Sequence, residues 1–79
     1  MNIGNAINLM KNAGMKLTRD DSKYYLIYVP SYKYEKSTIG IDTTIIHTER
    51  ILIVDKYNNA NVWNPTQEDL LAEDYIIKE

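Results

Sequence analysis

Seventy-nine residues with a net charge of −2, a sequence pI near 5.3 and no cysteine describe one small domain. They exclude disulfides and thiolate metal sites, a basic surface for a nucleic-acid polymer, and the run of roughly 18 apolar residues that a membrane helix needs. A chain this short buries only about 60% of its unfolded surface, so a lone core is marginal and self-association is the remaining way to bury more.

Ile3, Ala6, Ile7 and Met10 recur at helical spacing and predict an amphipathic helix. Asn2 suits its N-cap, Gly14 its left-handed C-terminal residue, and Lys11 complements the negative end of the helix dipole. The same stretch lacks the basic start and apolar block of a signal peptide, so the expected location is the cytoplasm. Residues 15–19, "MKLTR", alternate as a half-buried strand does, and "DDSK" (20–23) reads as a turn.

In "YYLIYV" (24–29), Tyr24, Leu26 and Tyr28 point one way and Tyr25, Ile27 and Val29 the other. Such a strand must be covered on both faces, and one helix covers only one. Pro30 ends it. "SYKYEKS" (31–37) reads as a mobile polar loop, and "TIGIDTTIIHT" (38–48) as a strand or extended segment broken at Gly40. "RILIVDKY" (50–57) is a strong strand, and "NNAN" (58–61) supplies residues that tolerate positive φ and close a hairpin into "VW".

Pro65 then forces Asn64 out of helical geometry and suits a first helical position. Either Asn64 with Gln67 or Thr66 with Asp69 starts a short helix in capping-box fashion. Glu68 and Asp69 fall in its first turn, where the dipole favours acids, and Leu70 and Leu71 are expected to anchor it to the sheet. "DYIIK" closes the chain as a strand. The sum is an α+β domain: an N-terminal amphipathic helix on a small antiparallel sheet, a short helix, and a terminal strand.

Catalytic signals are sparse. There are three serines and one histidine but no G-x-S-x-G elbow, no thiol, and no phosphate-cradling glycine loop. His47, among threonines and isoleucines, reads as an ordinary strand or loop residue. The acidic pairs 20–21, 68–69 and 73–74 invite a metal or acid–base reading, but the first fits a turn and the second a helix start, and the bland reading is the stronger. Asp69 and Glu73 lie four apart and repel each other, which calls for a cationic partner such as Arg19, Arg50 or Lys23, or a ligand hydroxyl. Residues 64–79 carry five acids against Lys78, so the negative charge is concentrated at this end. Seven tyrosines and one tryptophan, with no phenylalanine, supply rings with polar tips suited to interfaces and ligand pockets.

The ending "VWNPTQEDLLAEDYIIKE" and, more loosely, the opening "MNIGNAINLMKNAGMKLTR" resemble the two ends of the Thoeris anti-defence two family of phage and prophage proteins. That resemblance implies a small α+β homotetramer acting in an infected bacterial cell. It would sequester cyclic nucleotide immune signals, glycocyclic ADP-ribose and in some members cyclic dinucleotides, without cleaving them, and so keep a defence effector inactive. It implies no enzyme activity and no cofactor.

After the arginine, relatives carry a "G-W" turn, whereas this chain has "DDSKYY", so Tyr24 or Tyr25 takes the tryptophan's place or ligand choice differs. On this reading Arg19 and Lys23 meet phosphate, Tyr24, Tyr28 or Trp63 stacks on adenine, and Asn64 or Asp69 binds ribose hydroxyls. Two rivals are a protein-binding inhibitor of a host defence enzyme, acting through the acidic end, and a small hydrolase of the same messengers using paired carboxylates.

Overall fold

The computed structural model describes residues 1–19, 23–38 and 41–79, with the backbone alone for 32–38 and 41–47. Helix α1 (Ile3–Ala13) begins where the Asn2 side chain accepts from the Asn5 amide and ends at Gly14, whose φ of 65° is the left-handed conformation expected there. Its stripe of Ala6 and Met10, flanked by Ile3 and Ile7, lies on the sheet.

The sheet has five antiparallel strands in the order β6-β5-β2-β1-β7. These are β1 (Leu17–Arg19), β2 (Tyr25–Val29), β5 (Arg50–Val54), β6 (Ala60–Val62) and β7 (Tyr75–Ile77). Between β2 and β5 the chain forms a separate two-stranded sheet from β3 (Tyr32–Thr38) and β4 (Ile41–His47). The segment read as a polar loop is therefore a strand. Tyr32, Tyr34 and Lys36 alternate with Lys33 and Glu35, and pairing with the β-branched 41–47 run satisfies the backbone. His47 pairs with Tyr32 in this hairpin. The turn expected at 20–23 and the break expected at Gly40 fall outside the described residues, apart from Lys23.

Register fixes the faces. Leu17 opposes Leu26, and Leu26 opposes Ile53, so the three share one face, which α1 covers. Tyr28 and Ile51 extend that face, while Tyr25, Ile27, Leu52 and Val54 alternate onto the other, away from the α1 core. The expected two-sided apolar strand is present. The β5–β6 hairpin closes earlier than expected, with the strand ending at Val54 rather than Tyr57 and β6 starting at Ala60 within the expected turn, because the Asp55 carboxylate accepts from the Tyr57 and Asn59 amides. Asn58 takes the positive φ, 63°.

From Trp63 the chain crosses the α1 side of the sheet, from the β6 edge to the β7 edge. Helix α2 (Gln67–Leu71) rides in this crossing. Of the two starts open in the sequence, the structure uses Thr66. Its hydroxyl accepts from the Asp69 amide at 3.2 Å, and the Asp69 carboxylate accepts from the Thr66 amide at 2.9 Å. Thr66→Ala is expected to cost about 1 kcal/mol, read as a lower urea midpoint with an unchanged m-value.

The leucines of α2 do not anchor it: Leu70 is 49% and Leu71 74% exposed. A helix of five residues with a crossing path above the sheet cannot turn both inward. Its ties are instead polar, from Arg19 of β1 and from the Tyr75 hydroxyl, which donates to the Asp69 carbonyl at 2.5 Å, together with Ala72 packed against the core. Among the described residues no helix is long and apolar enough to cross a membrane.

Candidate functional site

The crossing segment roofs a cavity of about 300 Å³. Its floor is Leu26 of β2 and Ile53 of β5, and its walls are Tyr24 and Trp63. Thr18 and Arg19 of β1, Asp69 of α2 and Tyr75 of β7 supply the polar end. The apolar floor follows from strand alternation and the polar end from the sheet order, which brings β1, β7 and α2 to one corner.

Arg19 organises that corner. Its Nε donates to Asp74 Oδ1 at 2.8 Å and its Nη1 to Asp69 Oδ1 at 3.0 Å; Nη2 lies 3.4 Å from Asp74 Oδ2 and 3.6 Å from Glu68. The sequence-level expectation that Asp69 needs a cationic partner is met by Arg19. These bonds favour the guanidinium and push its pKa up, with the Asp74 bond the largest cause. Asp74 is held below the usual carboxylate range chiefly by Arg19. Asp69 is held low first by the Thr66 amide and then by Arg19. Burial raises the Tyr75 phenol.

Because both carboxyl pKa values are lower in the folded state, their stabilisation is complete above the unfolded value of about 3.9 and fades as pH falls through the folded values. Urea midpoints measured from pH 7 down to pH 2.5 should therefore drop below about pH 4. Arg19→Met should remove most of the Asp74 share and leave the part of the Asp69 share that Thr66 maintains.

A second, wider hollow of about 500 Å³ lies on the other side of Trp63, between α1, β5 and the Pro65–Leu70 stretch. Ile3, Ile7 and Ile51 line it. At its rim the Tyr28 hydroxyl donates to Glu49 at 2.6 Å, with the Lys11 ammonium 3.7 Å from the same carboxylate and 5.8 Å from the Tyr28 ring centre. The hydrogen bond to Glu49 raises the Tyr28 pKa, and the same bond is the main cause lowering that of Glu49.

Of the residues singled out in the sequence, Arg19, Tyr24, Trp63 and Asp69 meet at the first cavity. Tyr28 lies at the second hollow, which shares Trp63. Lys23 and Asn64 are exposed and line neither. Thr18, Leu26, Ile53 and Tyr75 were not anticipated as lining residues. The inward positions of Leu26, Ile53 and Tyr75 follow from strand alternation only once the β1–β2, β2–β5 and β1–β7 registers are known, whereas Thr18 alternates with Leu17 and Arg19 and borders the cavity beside Tyr24, whose carbonyl its hydroxyl bonds. Among the described residues, no group of three or more histidine, aspartate or glutamate side chains is placed to hold a metal ion.

No curated protein matches the chain. The family model described as Thoeris anti-defense 2-like domain matches residues 1–77, and the chain belongs to that family.

Proposed function

From membership in an anti-defence family, we propose that this chain acts by sequestering a cyclic nucleotide signal intact, glycocyclic ADP-ribose or a cyclic dinucleotide, and so withholds it from a Thoeris effector. The observation that carries this reading is the first cavity: two aromatic walls, an apolar floor and a carboxylate end, built on strands. Trp63 and Tyr24 offer faces on which a base stacks, worth roughly 1–3 kcal/mol. Asp69 offers charged acceptors to ribose hydroxyls.

At about 300 Å³ the cavity is at the small end of ligand sites, with room for part of such a signal. A homotetramer, in which a second copy encloses the rest, accounts for both that size and the apolar second face of the sheet. Lys23 and Asn64, exposed on one subunit, are then placed to reach ligand from the cavity rim or from a neighbouring copy.

Glycocyclic ADP-ribose incubated with the protein, passed through a filter that retains the complex, should be depleted from the filtrate and recovered unaltered after heating. No depletion would refute capture, and an altered product would favour the hydrolase reading. A second reading, inhibition of a host defence enzyme by contact, draws on the exposed Leu70 and Leu71 beside the acidic cluster. Leu71→Asp should leave signal capture intact and abolish any such contact.

A further inference from the structure

The polar groups of the first cavity are biased towards accepting. The Thr18 hydroxyl spends its proton on the Tyr24 carbonyl at 2.6 Å, and the Tyr75 hydroxyl spends its own on the Asp69 carbonyl at 2.5 Å. A hydroxyl has one proton and two lone pairs, so what each retains for a ligand is acceptor capacity. The Asp69 carboxylate accepts only, and its oxygens keep lone pairs beyond those used by Arg19 and Thr66.

Arg19 is the cation of this lining, yet three of its five donors are engaged by Asp69 and Asp74, with Glu68 close by. Three carboxylates outnumber the two cations at this corner, Arg19 and the N-terminal ammonium that donates to the Glu73 and Tyr75 carbonyls and lowers Asp74, and the remaining negative charge repels a phosphate and attracts hydroxyl protons.

We infer that this corner reads the vicinal hydroxyls of a sugar, and that Arg19 is a positioning residue holding the acceptor wall rather than the cation that meets the ligand's phosphate. The inference rests on the sequestration reading above and reverses the role the sequence suggests for Arg19. Phosphate must then be met from outside this corner, and the ligand enters sugar first. Asp69 is faced by Arg19 from β1, by Asp74 and Tyr75 at the start of β7, and by Glu68 and the Thr66 amide on its own helix. Without the guanidinium these carboxylates repel one another, and the acceptors lose the contact that aims them.

The test titrates glycocyclic ADP-ribose calorimetrically into wild type, Arg19→Gln, Arg19→Lys and Glu68→Gln at low and high salt. The Asp69 carboxyl is followed by NMR across pH in the same proteins. Arg19→Gln should weaken binding at least about ten-fold while leaving its salt dependence unchanged, and Arg19→Lys should recover part of the loss.

In Arg19→Gln the Asp69 titration should move up by the share that Arg19 supplies, with the Thr66 amide still holding it below the ordinary carboxylate range. Glu68→Gln, at an exposed side chain that leaves the other contacts in place, should change affinity by no more than about two-fold. The inference is overturned if Arg19→Gln flattens the salt dependence, if Glu68→Gln tightens binding strongly by releasing Arg19 to phosphate, or if Asp69 titrates identically with and without Arg19. Absence of any heat with wild type, alongside the expected NMR shift, strikes the sequestration reading and leaves the Arg19 lock standing.

Discussion

Replacing Tyr75 by alanine is expected to lower the unfolding free energy by about 3–5 kcal/mol, the range for removing a buried large aromatic side chain. Tyr75 is 1% exposed and, among the described residues, is the largest fully buried side chain, packed with Ala6, Met10, Leu17 and Leu26. Domains of this kind hold only about 5–15 kcal/mol in total, so the variant should be partly unfolded at 37 °C or melt many degrees lower. Tyr75→Phe separates the two roles of the ring. It keeps the packing but leaves the Asp69 carbonyl without its donor, for a cost of about 1 kcal/mol. Equal losses in the two variants, by urea denaturation, would mean that the ring contributes nothing beyond its hydroxyl.

The largest functional effect is expected at Trp63, which stands between the two hollows and lines both. Trp63→Ala should weaken capture of the signal by about 5- to 150-fold, the equivalent of one lost base–aromatic stack, with a smaller loss of stability because the ring is half-buried. Trp63→Phe keeps a ring face and should retain most of the affinity. Competition against wild type for a fixed amount of glycocyclic ADP-ribose reads the difference directly. Unchanged capture by a folded Trp63→Ala protein would place the ligand elsewhere.

Much of the architecture could be read before any coordinates. The α1 stripe with Asn2 and Gly14, the two-faced strand at 24–29 and the closing "DYIIK" each announce themselves, because period and cap chemistry are local properties. Three things were not local. The 31–37 segment looked like a loop because its polar residues hide a two-residue alternation, and its strand character depends on the partner run at 41–47. Leu70 and Leu71 have the hydrophobicity of anchors, but the path of α2, which no local pattern encodes, decides which residues face the sheet. The role of Arg19 was the hardest to see. The repulsion between residues 69 and 73 makes Arg19 one of several candidate partners for Asp69, but nothing in the sequence gathers the carboxylates at 68 and 74 around it as well. They arrive together only because β7 pairs with β1 and sets Tyr75 opposite Arg19. The candidate site was legible to the same degree: its aromatic and acidic members stand out by residue type, and its floor and the hydroxyls of Thr18 and Tyr75 do not.

The strand order has a consequence for how the chain reaches its native state. β1 is an inner strand, yet its second neighbour, β7, follows the other described strands in the sequence, and the contacts of Arg19 span 50 and 55 positions to Asp69 and Asp74. Until β7 arrives, one side of β1 presents unpaired amides and carbonyls, a template for any other extended chain. Assembly through such distant pairings is slow compared with helical domains of the same size. A nascent or freshly diluted molecule therefore passes through a period when association with its own kind competes with closure, and yield on refolding should fall as concentration rises.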